Sequence, residues 1–586
     1  MIGSLHPALL FILGGFLIPF LHKRVKAVYQ VALPIFGLIN LINIPMGKHW
    51  VFNFLDFTIV LGNVDKLSFI FALVFHIAAI ITMIYMLSFK DNSELIAAFF
   101  YAGSALGAVL SGDLLSFLIF WEMLTIGSMF LILARKTDAS RRAAFRYAIF
   151  HVIGGLFLLA GIVLHVTNTG SLAFGLMTLS GLASTLIFIG FGINCAWPLL
   201  HTWLTDAYPE ASIAGTVLLS TFTTKTAVYA LARSFPGTEE LIWIGAIMAI
   251  FTIFYALIEN DIRRLLCYAI INQVGFMVIG IGIGSKLAIN GAVMHAFNDI
   301  IFKGLLFMSV GAVLYRTGKS KITELGGLYK AMPLTAIFCL LGTFYSAPYF
   351  SGFVSKSMIM GAAIKGHHDT IWFILLFSAA ALFFASLRVP LFTFFSEKTT
   401  LDAKEAPKNM LVAMCLAAGL TIGIGSFPEY VFKLLPYKKV YDAYSLDHII
   451  SQTQLLSFAT LAFVLLFKAG IIKKAATINL DIDLLYRKLF SGIYTCLDKP
   501  LNALNEATDN AFRLRLVSKL SAFSKNAVGY IAASALSPVL ALSSNAKRKE
   551  GVQKHLIKGI ANSSLPISSS AMMVLILLGL LLIIQF

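Results

Sequence analysis

Apolar residues run in long blocks along this chain, and polar residues gather in the short gaps between them. A hydrocarbon core of roughly 30 Å is crossed by about 20 helical residues. That ruler predicts spans at 5–20, 27–45, 65–88, 95–110, 113–133, 143–166, 178–200, 212–234, 241–258, 265–283, 287–315, 332–350, 370–395, 409–426, 450–470 and 570–586. The stretch 351–364 reads as a further short or broken helix, giving about 14 to 17 spans. The first block lacks a basic leader and a small-residue cleavage site, so it is expected to be a retained span. Between 471 and 568 the pattern changes. Apolar residues there recur at helical spacing among charges, which predicts an amphipathic helix lying along a membrane or partner. Within it, "SSNAKRKEGVQKHLIKG" at 543–559 reads as a solvated basic linker. The expected organisation is N-terminal spans over 1–60, a core over 61–430 and an extension over 431–586.

Composition turns these blocks into a class. The 586 residues are 59% hydrophobic and 12% charged, with a mean hydropathy of +0.86. Soluble domains carry about 25% charged residues. The chain is therefore read as an all-α polytopic membrane protein. Its net charge of +17 sits in short loops. These are "HKRVK" at 22–26, "RKTDASRR" at 135–142, "NDIRR" at 260–264, "YRTGKSK" at 315–321 and the mixed "EKTTLDAKEAPK" at 397–408. With the spans above, all five fall on one side of the membrane, which orientation rules place in the cytoplasm. "GTEE" at 237–240 and "GHHD" at 366–369 fall opposite. A membrane surface thus accounts for the basic charge, and nucleic acid is not expected as a partner. The five cysteines are scattered singly and read as small packing residues, with no zinc or iron–sulfur spacing. No Gly-rich phosphate loop or dinucleotide fingerprint appears, so no cofactor is expected on this chain.

Against this background, several charges stand out. An ionised side chain at mid-bilayer costs at least ~2.5–3.5 kcal/mol, so it needs a partner, a water cavity or a function. Glu122 lies nine residues after Asp113, about 13 Å along a helix. It reads as a proton carrier or one half of a structural ion pair. Lys225, in "LLSTFTTKTAVYALARSF", lies about 12 Å before Arg233, too deep to reach water easily. A lysine in that setting can release its proton when another cation approaches. His295, Asp299 and Lys303 recur at i, i+4 and i+8 and share a broad stripe of one helix, a pattern suited to proton relay. Arg388 precedes Pro390; it reads either as a tuner of nearby carboxylates or as a structural group. A short echo, "STFTTKTAVYA" and "SGFVSKSMIMG", sets Lys225 and Lys356 in similar frames, as expected of two related halves with broken helices.

Taken in order, "DLLSFLIFWEM", "PLLHTWLTDAYPEASIAGTVLLSTFTTKTAVYAL", "ENDIRRLLCYAIINQVGFM", "HAFNDIIFKGLLFMSVGAVLYRTG" and "FSGFVSKSMI" resemble the antiporter-like subunits shared by Mrp-type cation/proton antiporters and respiratory complex I. The resemblance covers about residues 60–430; "EAPKNM" and "INLDIDLLYRK" look most like the D-type subunit of Mrp antiporters, with a long C-terminal extension. It implies two inverted five-helix repeats with discontinuous helices. It also implies that Glu122, Lys225, His295 and Lys303 move protons, with a Glu–Lys pairing that switches their affinity; Lys225 is read here as facing Glu122 across helices. One departure stands out: the family usually has Gly-x-Lys before the Pro-Leu pair, whereas this chain reads Gly192-Ile193-Asn194. Asn194 cannot titrate, so either Lys225 takes over the pairing or the first half is impaired.

The leading expectation is a subunit of a multisubunit Na⁺- or K⁺-for-proton antiporter in the cytoplasmic (inner) membrane, working with other hydrophobic subunits. The alternatives are a proton-translocating subunit of a complex I-related NADH:quinone oxidoreductase, and a non-conducting scaffold. No catalytic site is expected on the chain itself.

Overall fold

The computed structural model describes residues 3–397, 403–438, 441–477, 481–541, 546–561 and four positions between 571 and 575. The expected last span, 570–586, lies largely outside the described residues. The chain begins with α1 (Pro7–Phe16) and α2 (Lys23–Ile42), followed by an antiparallel hairpin of β1 (Gly47–Phe54) and β2 (Phe57–Val64). The hairpin is a short strand pair added to the helical membrane fold that the pattern predicts. Its alternation in "FTIVLGNV" turns Val60 and Val64 inward, and Leu55 closes the turn at φ 52°.

The helices that follow are α3 (Lys66–Tyr85), α4 (Asn92–Leu110), α5 (Leu114–Leu133), α6 (Asp138–Thr169), α7 (Leu182–Asn194), α8 (Thr202–Ala207), α9 (Ile213–Thr221) and α10 (Thr223–Ser234). A second series holds α11 (Glu239–Ile258), α12 (Ile262–Ile283), α13 (Lys286–Thr317), α14 (Pro333–Thr343), α15 (Ser351–Lys365), and α16 (Asp369–Ser386) running into α17 (Arg388–Pro390). Then come α18 (Lys408–Ser426), α19 (Glu429–Phe432) and α20 (Leu446–Lys468), which packs on α16. Among the described residues, eleven helical segments are long and apolar enough to cross a membrane. The shorter apolar helices α1, α7 and α14 add to them. The α9–α10 pair and α15 account for the remaining spans read from the sequence, and 351–364 is indeed a separate helix.

The two series are built alike. Asp113 caps α5 and pairs with Ala173, just beyond the Gly170 cap of α6 at φ 68°. At an offset of 148 residues, Asp261 caps α12 and pairs with Lys321, just beyond the Gly318 cap of α13 at φ 69°. Only glycine adopts that left-handed cap without strain. Three passes separate the bridges (α7 with α8, α9 with α10, and α11), so they lie at opposite ends of the bundle. The repeats are therefore inverted. In each, the element after the long helix is broken. Residues 195–201 interrupt the first, with Ala196 and Leu199 at positive φ; residues 344–350 interrupt the second, with Tyr349 at positive φ.

The basic loops gather at one end. Lys26 donates to Asn92 Oδ1 (2.7 Å) beside Asp91, which pairs with Lys136 (2.6 Å); Arg135 and Arg263 both donate to Pro209 O (2.6 Å), and Arg316 donates to Glu405 O (2.8 Å).

The chain divides into two compact units, Met1–Asp481 and Ile482–Phe586. The C-terminal unit holds α21 (Asp483–Asp509), a π-helical stretch Asn510–Val517, α22 (Ser518–Ala541) and α23 (Ala546–Ala561). The amphipathic expectation corresponds to α21. Of the basic stretch expected to be a linker, residues 546–559 instead lie in α23, where Ile557 packs beside Gly529 of α22, and 543–545 lie outside the described residues.

Candidate functional site

Lys225 lies just after a break in its helix. Thr223 N donates to the Tyr101 hydroxyl (3.1 Å), so the turn between α9 and α10 is left open. The Lys225 ammonium fills it by donating to Ser220 O (2.8 Å). Its charge is met at 2.7 Å by Asp299 Oδ2, and both side chains are fully buried. Lys225 belongs to the first repeat and Asp299 to the second, so this ion pair joins the two halves. The expected pairing of Lys225 with Glu122 is thereby corrected. The open turn directs the ammonium toward α13, whereas Glu122 is held on α5 against α6.

The α13 stripe fans out as its 40° drift per step requires. Asp299 faces Lys225. His295 lies between Ser355 Oγ (2.9 Å, at Nδ1) and Gln273 Oε1 (3.1 Å, at Nε2). Gln273 in turn donates to Asn272 (2.8 Å), which donates to Ser378 (2.9 Å). The Lys303 ammonium is buried with no hydrogen-bond acceptor among the described residues, 5.5 Å from the Tyr345 ring centre. Lys356 donates to the Tyr345 hydroxyl (3.1 Å) and lies 4.9 Å from the Phe276 ring centre. Tyr345 thus stands between two buried lysines, and α13, α15 and the 344–350 break share one polar interior.

The echo around Lys225 and Lys356 is not the structural repeat. Counted from α4 in the first repeat and from α11 in the second, with each broken pair as one element, Lys225 lies in the fifth element and Lys356 in the fourth.

In the first repeat, Glu122 sits half-buried near the middle of α5, and its Oε1 has no donor among the described residues. That oxygen lies where a Cβ on Gly155 of α6 would be. Asn194 Oδ1 lies 2.8 Å from His151 Nδ1. His151 packs against Tyr147 with the rings tilted (4.0 Å between ring centres) and meets Trp203 edge-on (4.5 Å).

Arg388 lies apart from these groups. It donates to Ala256 O (2.8 Å) and Glu259 O (3.0 Å), capping the carbonyl end of α11.

Sequence reasoning missed His151, Tyr345, Gln273, Asn272 and Ser355. A single His or Tyr in an apolar helix reads as packing. The available signal was the register shared between α6 and α13. Among the described residues there is no group of three or more His, Cys, Asp or Glu able to hold a metal ion.

Residues 111–383 match the family described as NADH:quinone oxidoreductase/Mrp antiporter, TM, as the motifs implied. The stretch runs from just before α5 through most of α16. Hydrogenase-4 component B of Escherichia coli (strain K12) is 28% identical over 422 residues, covering 63% of this chain and 62% of that protein. The D-type subunit of the Na(+)/H(+) antiporter of Bacillus subtilis (strain 168) is 28% identical, covering 53% of this chain and 68% of that protein. The chain thus spans less than two thirds of the hydrogenase relative. In fold, it resembles a chain from the membrane-bound sulfane sulfur reductase, an archaeal respiratory membrane complex. The TM-score is 0.70 at 23% identity, over 86% of this chain and 95% of that one. The chain is a multi-pass membrane protein with the antiporter-like fold.

Proposed function

We propose that this chain, whose residues 111–383 form the transmembrane region shared by NADH:quinone oxidoreductase and Mrp antiporter subunits, moves protons across a cytoplasmic (inner) membrane as part of a multisubunit assembly. The observation that carries the reading is the buried Lys225–Asp299 pair, with Lys303, Lys356 and His295 in the same interior. Charged groups at this depth are costly unless they are used. Inverted repeats with broken helices suit alternating access to a central site.

In this reading, Glu122, Lys225, His295, Asp299 and Lys303 hold or pass protons. A positive charge arriving near Lys225 competes for Asp299, and its departure restores the pair. Lys356, hydrogen-bonded to the Tyr345 hydroxyl, tunes Lys303, whose ammonium lies over the same ring. Arg388 holds α11 and is not a carrier. The exchanged ion is a monovalent cation, Na⁺ or K⁺; the antiporter relative reported above is named for Na⁺.

A second reading is favoured by the hydrogenase relative and the sulfane sulfur reductase neighbour. There the same axis would be driven by electron transfer in other subunits. Purifying the tagged chain gently from its native membrane separates the two. Companions limited to small hydrophobic subunits support the antiporter. Peripheral subunits carrying flavin or iron–sulfur centres support the redox-driven pump. A chain recovered alone, with no proton movement in vesicles, would refute both.

A further inference from the structure

We infer that His151 is the titratable group of the first repeat, occupying the role that Asn194 cannot fill. The inference rests on the proton-moving reading above and deepens it. The helices α6 and α13 are both 32 residues long and begin 148 residues apart, at Asp138 and Lys286. In that register His151 corresponds to Asp299, the residue that meets Lys225, and Tyr147 corresponds to His295. The first repeat thus places an ionisable side chain at the level where the second repeat places its ion-pairing carboxylate.

The surroundings of His151 fit the role. Its ring is fully buried, and Nδ1 faces Asn194 Oδ1 at 2.8 Å. An amide oxygen accepts but cannot donate, so Nδ1 carries the hydrogen and the free lone pair is left on Nε2. Among the described residues Nε2 has no partner, and neither does the Asn194 amide nitrogen. Two unpartnered buried polar atoms beside one imidazole mark a place for water or a transferred proton.

The nearby carboxyl belongs to Glu122 of α5. It stands against Gly155, one turn further along α6, about 6 Å of helix rise from His151. The only other charged groups facing α6 from α5, α7 or α8 among the described residues are at its Arg146 end. There Arg146 is held by Asp206 of α8 at 2.6 and 2.9 Å. In the proposed step the proton leaves the Glu122 carboxyl and bonds to Nε2, giving a carboxylate and an imidazolium. It then passes from Nε2 to a water molecule in the gap marked by the two unpartnered atoms, which restores the neutral imidazole. Asn194 is a positioning residue: it fixes the tautomer and takes no proton.

Two measurements on the intact assembly test this. In everted membrane vesicles, H151Q should reduce cation-dependent proton movement by about 10²-fold or more, the usual contribution of a positioned proton-transfer group. The H151Q/N194K double variant should regain movement, because lysine at 194 supplies the missing titratable group. The second measurement does not need transport: the infrared pH-difference spectrum of the purified protein should show an imidazole titration that is absent in H151Q. If H151Q transports like the wild type, or its imidazole spectrum is unchanged, the inference is overturned while the proposed function stands. If the wild type moves no protons, the proposed function fails, and the spectrum alone decides whether His151 titrates. Should both variants be silent in transport, loss of the imidazole signal in H151Q supports the inference and its retention overturns it.

Discussion

Replacing Asp299 with leucine removes the carboxylate that meets the Lys225 ammonium, which then keeps Ser220 O at 2.8 Å. Breaking a buried pair by deleting one partner costs about 3–5 kcal/mol, whereas replacing both with apolar residues is often neutral or stabilising. The structure sets the expected value at the low end of that range, because the carbonyl at the α9–α10 break still receives the ammonium. D299L should therefore lower stability by about 3 kcal/mol, and D299L/K225M should recover to within about 1 kcal/mol of the wild type. The assay pairs thermal unfolding of the detergent-purified assembly with proton movement in everted vesicles. Stability and transport should part company: the double variant regains stability but, like both single variants, moves no protons. Wild-type transport in the double variant would show the pair to be a structural tie and refute the reasoning.

Other predictions follow from neighbouring contacts. G155A places a methyl group on Glu122 Oε1 and must displace that carboxyl; it should cost about 1–3 kcal/mol, as overpacking usually does, and slow proton movement in the same assay. R388Q leaves two carbonyls at the end of α11 without their charged donor. It should lower the unfolding midpoint while the assembled protein that survives transports like the wild type; a selective loss of transport would place Arg388 in the pathway. At the basic end, the Lys136 ammonium holds the Asp91 carboxyl down to about 2, from a usual 3.8. Because the folded value is depressed, the stabilisation is present above pH of about 4 and is lost as pH falls through 2. K136A should remove that pH-dependent advantage, measured by unfolding midpoints across this window, and an unchanged profile would contradict the assignment.

Much of this was legible along the chain. Span positions follow from apolar length, and the depth of Glu122 and Lys225 follows from counting residues from Asp113 and Arg233. Partner identity was not legible. Lys225 meets Asp299 because a turn opens at Phe222, and that opening depends on the Tyr101 hydroxyl from α4, which no local pattern announces. The repeat was equally faint. Its strongest marks are an aspartate cap and a glycine stop 148 residues apart, while the conspicuous echo around Lys225 and Lys356 joins elements that do not correspond. The hairpin at 47–64 escaped because an eight-residue alternation beside long apolar blocks carries little weight. His151 escaped because its meaning lies in the register of α6 against α13. Side chains whose role depends on depth could be found one at a time; those whose role depends on a second helix could not.

The most direct test of a proton-carrying interior uses Lys303, a fully buried ammonium with no acceptor among the described residues. An unpaired buried charge destabilises the fold, so K303M should make the protein more stable. The measurement is proton flux of the reconstituted native assembly, driven by an imposed cation gradient and read with a trapped pH dye. If the account holds, K303M is at least as stable as the wild type and its flux is lost. A stable K303M that moves protons at the wild-type rate would contradict the account.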